Sequence, residues 1–301
     1  MSMPAQLISR SAGAALSRLG DYIALTKPVL LLLMLVTVAS GYALGTDCAV
    51  DPAHLAQVVL AVGLVAGGAA ALNQYAERHT DAKMDRTRQR PLPTGRLASL
   101  EALVFGAACC AAGTAWLWAV AAPLPAGLGM LSLGLYLFAY TPLKFRTPLN
   151  TLVGAVVGAL PPVIGWTAAT GALSAGAGAL FAILFVWQLA HFYVIAWLYR
   201  DDYARAGIKM LSVMDDARGT RTVRQIVGAC AVMILVSQLP VMAEMAGGVY
   251  LIAAALLSAA FLAHAIALAL RRSRASARRF FWASIIYLPC LLGFMILDRL
   301  G

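Results

Sequence analysis

The sequence predicts an all-α, polytopic membrane protein with nine transmembrane helices, its N-terminus inside and its C-terminus outside. Three observations carry this reading. Of the 301 residues, 61% are apolar and 12% charged, whereas soluble globular domains have about 45–50% apolar and about 25% charged residues. Nine apolar runs are near the roughly 20 residues that a helix needs to cross a bilayer. Nearly every Lys and Arg falls in alternate connecting segments, the asymmetry expected of cytoplasmic loops. The composition excludes a soluble enzyme and a disordered chain. The net charge of +10 sits in short clusters between apolar runs, which is a membrane pattern and not a nucleic-acid-binding patch.

The runs cover about 28–46, 54–75, 98–120, 125–141, 149–170, 176–197, 222–244, 247–270 and 280–298. Residues 1–27 read as a basic cytoplasmic extension and 28–298 as a single transmembrane domain, because the longest loops run only from about 76 to 97 and 198 to 221. The extension has no acid before Asp21 and no apolar core of a secretory signal. Its composition also resembles a mitochondrial transit peptide, but a basic segment lying on the membrane is preferred. Cys109, Cys110, Cys230 and Cys290 lie in apolar runs without CxxC spacing, as small buried hydrophobes do. Pro161-Pro162 in the fifth run predicts an interrupted backbone ladder and a kink.

Orientation follows from the cations. With the N-terminus inside, the inner segments hold Arg10, Arg18 and Lys27, then Arg78 to Arg96, Lys144 and Arg146, Arg200 to Arg224, and Arg271 to Arg279. Arg299 alone is left outside. The predicted location is a bacterial inner membrane, with the mitochondrial inner membrane as the alternative.

The loop after the second run reads Asn73-Gln-Tyr-Ala-Glu77-Arg-His-Thr-Asp81-Ala-Lys-Met-Asp85, followed by Arg86, Arg88 and Arg90. Asn73, Glu77, Asp81 and Asp85 recur every four residues and form one stripe on a helix. Like charges at that spacing repel, and a shared divalent cation would compensate. Carboxylate and amide oxygens suit Mg²⁺, which usually binds one or two carboxylates together with substrate phosphate. The arginines supply donor forks for phosphate oxygens. The plain alternative is a solvated loop whose acids and bases pair in water. Against it, the stripe starts inside an apolar run and keeps to one face.

The loop after the sixth run places Tyr199, Arg200, Asp201, Asp202, Tyr203, Arg205 and Lys209 in sequence. On one continuous helix His191 and Asp202 are about 20° from eclipsed and about 16 Å apart, which predicts one cavity with His191 deep and Asp202 at its mouth. His191 is read either as functional or as a hydrogen bond between helices. His264 is read as structural, and His79 could face either way.

The segment Asn73-x3-Glu77-x3-Asp81-x4-Arg86-Thr87-x2-Arg90-Pro91-Leu92 resembles the first signature of the UbiA superfamily of intramembrane prenyltransferases. More narrowly it is similar to the protoheme IX farnesyltransferases (haem O synthases). Leu25-Thr26-Lys27-Pro28, Tyr140-Thr141-Pro142-Leu143-Lys144, Gly158 to Trp166, His191-Phe192, Asp202 to Gly207 and Phe281-x2-Ser284 to Leu288 extend the match. Glu77 stands where the superfamily commonly has Asp, Phe145 replaces an expected base, and Lys209 replaces a frequent Pro.

The resemblance implies nine helices around a central cavity, with Mg²⁺ as cofactor and two acidic motifs for Mg²⁺–diphosphate. The implied reaction transfers the farnesyl group of farnesyl diphosphate to the 2-vinyl group of haem B, with addition of water. The products are haem O and diphosphate, for haem–copper oxidase assembly. Haem B is then a substrate and not a resident cofactor, and the partners are the lipid bilayer and haem A synthase or oxidase assembly factors. Asn73, Glu77, Asp81 and Asp202 become the metal-ligand candidates. Arg86, Arg90 and Lys144 become candidates to stabilise the leaving diphosphate. Lys27, Arg146, His191, Tyr199, Asp201, Tyr203, Arg205 and Lys209 become candidates for substrate contacts. A UbiA-type enzyme with a quinone precursor or chlorophyllide as acceptor is the nearer alternative. A transporter is the more distant one, and it would distribute its charges across the bilayer midplane.

Reporter fusions after residues 48, 90, 172, 210 and 275 should read out, in, out, in and in. An outside reading at 90 or 210 overturns the topology.

Overall fold

Apolar runs of this length satisfy their backbone in a bilayer by closing N–H and C=O groups within helices. The computed structural model describes residues 17–46 and 49–300. Among the described residues there is no strand, and nine helices are long and apolar enough to span a membrane. They are α1 (Pro28–Gly45), α2 (Pro52–Asp81), α3 (Ser99–Ala121), α4 (Pro123–Gly134), α5 (Asn150–Thr170), α6 (Ala175–Leu198), α7 (Thr220–Val236), α8 (Gly248–Arg271) and α9 (Arg274–Leu300). The π-helical turn Leu135–Tyr140 continues α4 to Leu143 and the short helix Leu239–Met242 continues α7, so these two spans run over Pro123–Leu143 and Thr220–Met242.

Pro28, Pro52 and Pro123 open α1, α2 and α4, where a missing N–H has no intrahelical partner to lose. Asp51 caps α2 by accepting from the Ala53 and His54 amides at 2.9 and 3.2 Å. Two boundaries differ from expectation. α2 runs to Asp81 instead of 75, so Glu77 and Asp81 lie on the spanning helix itself. α9 begins at Arg274 instead of 280, which puts Arg274, Arg278 and Arg279 in helical turns and not in a loop. Long basic side chains can lie along a helix and keep their heads in water. Of the expected extension, residues 1–16, Arg10 among them, lie outside the described residues. Residues 17–25 are helical, with Arg18 paired to Glu101 and Arg96 to Asp21 at 2.9 Å.

Packing divides the bundle. α5 to α9 share a core around Tyr250, Phe261, Phe280 and Leu291, while α1 to α4 meet around Val38, Val58, Ala61 and Leu117. α1 joins the two parts by packing on α5. A Cβ at Gly41 would lie 2.0 Å from the Pro162 carbonyl oxygen, and one at Gly165 would lie 2.0 Å from that of Val38. Only glycine permits this backbone-to-backbone approach. The interruption expected at Pro161-Pro162 leaves α5 continuous from Asn150 to Thr170, and the Pro162 carbonyl lies against Gly41. His264 bonds the Ala260 carbonyl of its own helix at 2.8 Å, a structural contact, and His79 is exposed.

The connections after α2, α4, α6 and α8 converge at one end of the bundle. The Lys209 amide donates to the Lys144 carbonyl at 2.7 Å, and Asn150 Nδ2 donates to the Lys209 carbonyl at 3.0 Å. Arg272 donates to Thr220 Oγ1 at 2.9 Å and Arg274 to the Leu198 carbonyl at 3.2 Å. Met84 packs with Ala196, Ile208 and Met210 beneath them. Asp215 anchors α7, accepting from the Arg221 and Thr222 amides at 3.1 and 2.7 Å and from Thr222 Oγ1 at 2.8 Å. Burial opposes its charge, but these donors hold the carboxyl below the usual carboxylate range.

Gly41→Ala should destabilise the fold by about 1–3 kcal/mol, read as an earlier melting transition in detergent. Unchanged melting would mean that α1 and α5 do not touch through backbone. Asp215→Ala should lower stability at neutral pH by about 1–2 kcal/mol. Because the folded-state pKa is depressed, this contribution is present above the ordinary carboxylate pKa and disappears as pH falls through the depressed one. The melting curves of parent and variant should therefore converge on acidification.

Candidate active site

Asn73, Glu77 and Asp81 lie on one face of α2, about 6 Å apart along its axis. All three are buried, at 0%, 6% and 1% exposure. Charge at such depth needs a partner, and each side chain has a different one. Lys27 Nζ, at the start of α1, donates to Asn73 Oδ1 at 2.8 Å. Lys144 Nζ, just past α4, pairs with Glu77 Oε1 at 2.6 Å, and Arg90 Nη1 with Asp81 Oδ2 at 2.7 Å. Asn73 Nδ2 donates to Thr141 Oγ1 at 3.1 Å, which turns the amide oxygen toward Lys27. Asp81 Oδ1 is buried with no hydrogen-bond partner.

Two tyrosines position the lysines. The π-helical turn brings Tyr136 and Tyr140 into a stack at 5.7 Å, and such turns often occur at functional sites. Lys144 Nζ sits 4.5 Å from the Tyr140 ring centroid, and Lys27 Nζ reaches Tyr136 Oη at 3.4 Å. Burial works against the Lys144 charge, but Tyr140 and Glu77 outweigh it and hold the ammonium above its ordinary range. For Lys27, burial and then Arg90 push the ammonium down to about 7. The Lys27 backbone is left-handed, with φ 53°, so local strain sits where its side chain enters the site. Below Lys27 and Tyr136 opens a cavity of ≈ 200 Å³ among α1 to α5, walled mainly by apolar side chains such as Leu31, Met34, Val65 and Ile164.

The stripe is shorter than expected. α2 ends at Asp81, where Thr87 Oγ1 caps the Asp81 carbonyl at 2.8 Å. Asp85 therefore leaves the row, is 63% exposed and pairs with Arg205 at 2.6 Å. Arg205 also pairs with Asp202, whose side chain is 13% exposed, so this arginine ties the two acidic loops together. Arg86 lies over the Tyr199 and Tyr203 rings at 5.0 and 5.6 Å and donates to Tyr203 Oη at 3.2 Å. Asp201, Arg146 and Lys209 have exposed side chains. The Lys209 backbone binds Lys144 and Asn150, and the structure brings none of these three side chains into the row.

The common helical face expected for His191 and Asp202 is also corrected. α6 ends at Leu198, Tyr199 leaves helical geometry at φ −109° and ψ 26°, and Asp202 starts afresh in the short helix Arg200–Arg205. His191 faces α9, with Nδ1 2.8 Å from Ser284 Oγ. Its ring stacks on Trp187 and Phe281 at 4.9 and 5.3 Å. Sequence reasoning missed Tyr136, Tyr140 and Thr141 as partners of the row. Two tyrosines four residues apart, leading into Lys144, were the available signal.

Among the described residues no three His, Cys, Asp or Glu side chains gather into a ready metal cage. The donor set is two carboxylates and an amide in a row, with Asp202 apart. That set fits Mg²⁺, which keeps positions for phosphate oxygens and water, and the unpartnered Asp81 Oδ1 is a hard oxygen suited to it. Chemically, the row can hold an anionic head group at the mouth of an apolar cavity.

The model for the UbiA prenyltransferase family matches residues 34–286. A protoheme IX farnesyltransferase of Solibacter usitatus is 47% identical, over 93% of this chain and 99% of its own. A digeranylgeranylglyceryl phosphate synthase structure shares the fold with a TM-score of 0.78 at 16% identity, covering 94% of this chain and 99% of its own. A UbiA homologue from Archaeoglobus fulgidus, solved bound to GPP and Mg²⁺, does so with a TM-score of 0.64 at 16% identity, covering 93% and 100%. A signature beginning at Asn73 on a buried helical row, the nine-helix fold and a family match across most of the chain agree: this protein is a member of the UbiA prenyltransferase family.

Proposed function

We propose that this membrane protein transfers the farnesyl group of farnesyl diphosphate to the 2-vinyl group of haem B, giving haem O and diphosphate. The observation that carries the reading is the row Asn73–Glu77–Asp81, each member matched to a cation, at the head of an apolar cavity. The resemblance to protoheme IX farnesyltransferases supplies the acceptor. The cation-rich end of the bundle faces the cytoplasm of a bacterial inner membrane, and haem O passes to haem–copper oxidase assembly, directly or through haem A synthase.

Asn73, Glu77 and Asp81 would hold Mg²⁺, with Asp202 as ligand to a second ion. When bound, the metal supplies a Lewis acid that neutralises the diphosphate. The remaining work falls to the chain. Lys144 and Arg90 pair with the acids in the absence of ligand, and they stand beside the diphosphate once the acids are otherwise engaged. With Arg86 from the loop, they stabilise the negative charge that grows on the leaving group. Lys27 and Tyr136 mark the boundary between head group and chain, and the cavity below takes the isoprenoid away from water. Tyr199, Tyr203 and Arg205 border the acceptor side, where His191 serves the haem. The second carbocation, formed after the vinyl group attacks, is trapped by water, which supplies the hydroxyl of the product and loses a proton to solvent.

Purified protein incubated with haem B, farnesyl diphosphate and Mg²⁺ should yield a product with the mass of haem O. Asp81→Asn keeps shape and removes charge, and turnover should fall about 100-fold or more. Asp85→Asn, on the exposed side of the loop, should change turnover only a few-fold. Equal rates for Asp81→Asn and the parent at limiting Mg²⁺ would refute the metal assignment.

A further inference from the structure

A second pocket of ≈ 200 Å³ lies at the cation-rich end of the bundle, between the end of α6 and the start of α9. It is lined by Leu198, Tyr199, Arg274, Arg278, Phe281 and Trp282. Arg274, Arg278, Phe281 and Trp282 follow helical spacing and share one face of α9. Arg274 donates to the Leu198 carbonyl at 3.2 Å. Arg278 is exposed and makes no hydrogen bond or ion pair with the described residues. Two guanidinium groups beside two aromatic rings form a site for a flat, apolar ligand that carries paired carboxylates on one edge.

The neighbouring residues extend this chemistry. Six residues from Arg278 to Ser284 are about 9 Å along α9, and at that depth His191 stands against Phe281. The Ser284 hydroxyl already donates to the Phe281 carbonyl at 2.6 Å, so His191 Nδ1 is the donor in its 2.8 Å contact with Ser284 Oγ. His191 Nε2 is then left with its lone pair and has no hydrogen-bond partner among the described residues. Tyr199 forms a wall of this pocket and also lies under Arg86, 5.0 Å from its guanidinium. One aromatic side chain thus separates this pocket from the diphosphate end of the other site.

We propose that Arg274 and Arg278 seat the two propionate carboxylates of the tetrapyrrole acceptor. Its ring lies against Phe281 and Trp282, and its far edge extends past Tyr199 toward the diphosphate site. The inference rests on the acceptor reading above. The pocket is too small to enclose a tetrapyrrole, and its open side suits the seating of one edge. Phosphate of an anionic lipid is the competing anion for the same arginines.

The test compares haem B with its dimethyl ester, which has the same ring and no free carboxylates. In the parent enzyme the ester should show a KM about tenfold above that of haem B, equivalent to about 1.4 kcal/mol. Arg274→Gln/Arg278→Gln should raise KM for haem B by about the same factor, with no further penalty for the ester. Mg²⁺-dependent binding of farnesyl diphosphate should be unchanged, which also reports that the variant is folded. Arg278→Gln alone removes a side chain without a partner, so it gives a folded variant that should show part of the same KM shift. Arg274→Lys/Arg278→Lys should keep part of the preference. If the double variant keeps the parent's preference for haem B, or if both acceptors weaken equally, the seat is wrong; the second result assigns the arginines to lipid. Absence of any prenylated haem from the parent overturns the acceptor reading, and the seat with it.

Discussion

Burying carboxylates at the edge of a bilayer is the constraint on which the rest of the structure depends. Glu77 and Asp81 are nearly inaccessible to water, and an unpaired buried charge would destabilise the fold by about 3–5 kcal/mol. Their neutralising partners come from separate parts of the chain: Lys144 from the end of α4 and Arg90 from the loop after α2. Lys27, from the turn before α1, meets the amide of Asn73. Satisfying one helix therefore fixes three other segments. The contacts of Lys209 with Lys144 and of Arg205 with Asp85 and Asp202 then bring in the loop after α6. The site is assembled by electrostatic necessity at one end of a bundle whose two cores are packed mainly from apolar side chains.

The nine spans were legible because each is a run whose length and composition permit little else in a membrane. The row on α2 was legible because four-residue spacing survives any small error in helix boundaries. Its extent was not. Whether the helix continued to Asp85 depended on Thr87 folding back onto the Asp81 carbonyl, a contact within a loop of mixed polar residues. The same limit applied to His191 and Asp202. Eleven residues of helical arithmetic fail if one residue between them leaves helical geometry, and Tyr199 does so. Tyr136 and Tyr140 were hidden for another reason: an aromatic pair in an apolar span reads as core until a lysine is found above it. At Lys27 the sequence placed a base before a proline, but its left-handed backbone and its contact with Asn73 arise from tertiary packing.

The energetics of ion pairs bear on why these polar groups are present. A buried pair often contributes little beyond what well-packed apolar side chains of similar size would contribute, while loss of one partner is costly. Immediately below the row, α1 to α5 enclose a cavity whose walls beyond Lys27 are mainly apolar, so this bundle can line most of its interior without charge. Three ionic or amide contacts on one helix face are then a poor way to stabilise α2 and a good way to keep exchangeable partners in place. Each cation stands beside an oxygen of the row, and under the proposed function a metal ion would take over that oxygen and free the cation for the diphosphate. Asp81 Oδ1 is buried and unbonded beside an engaged Oδ2, which leaves one hard oxygen of the row open to a ligand.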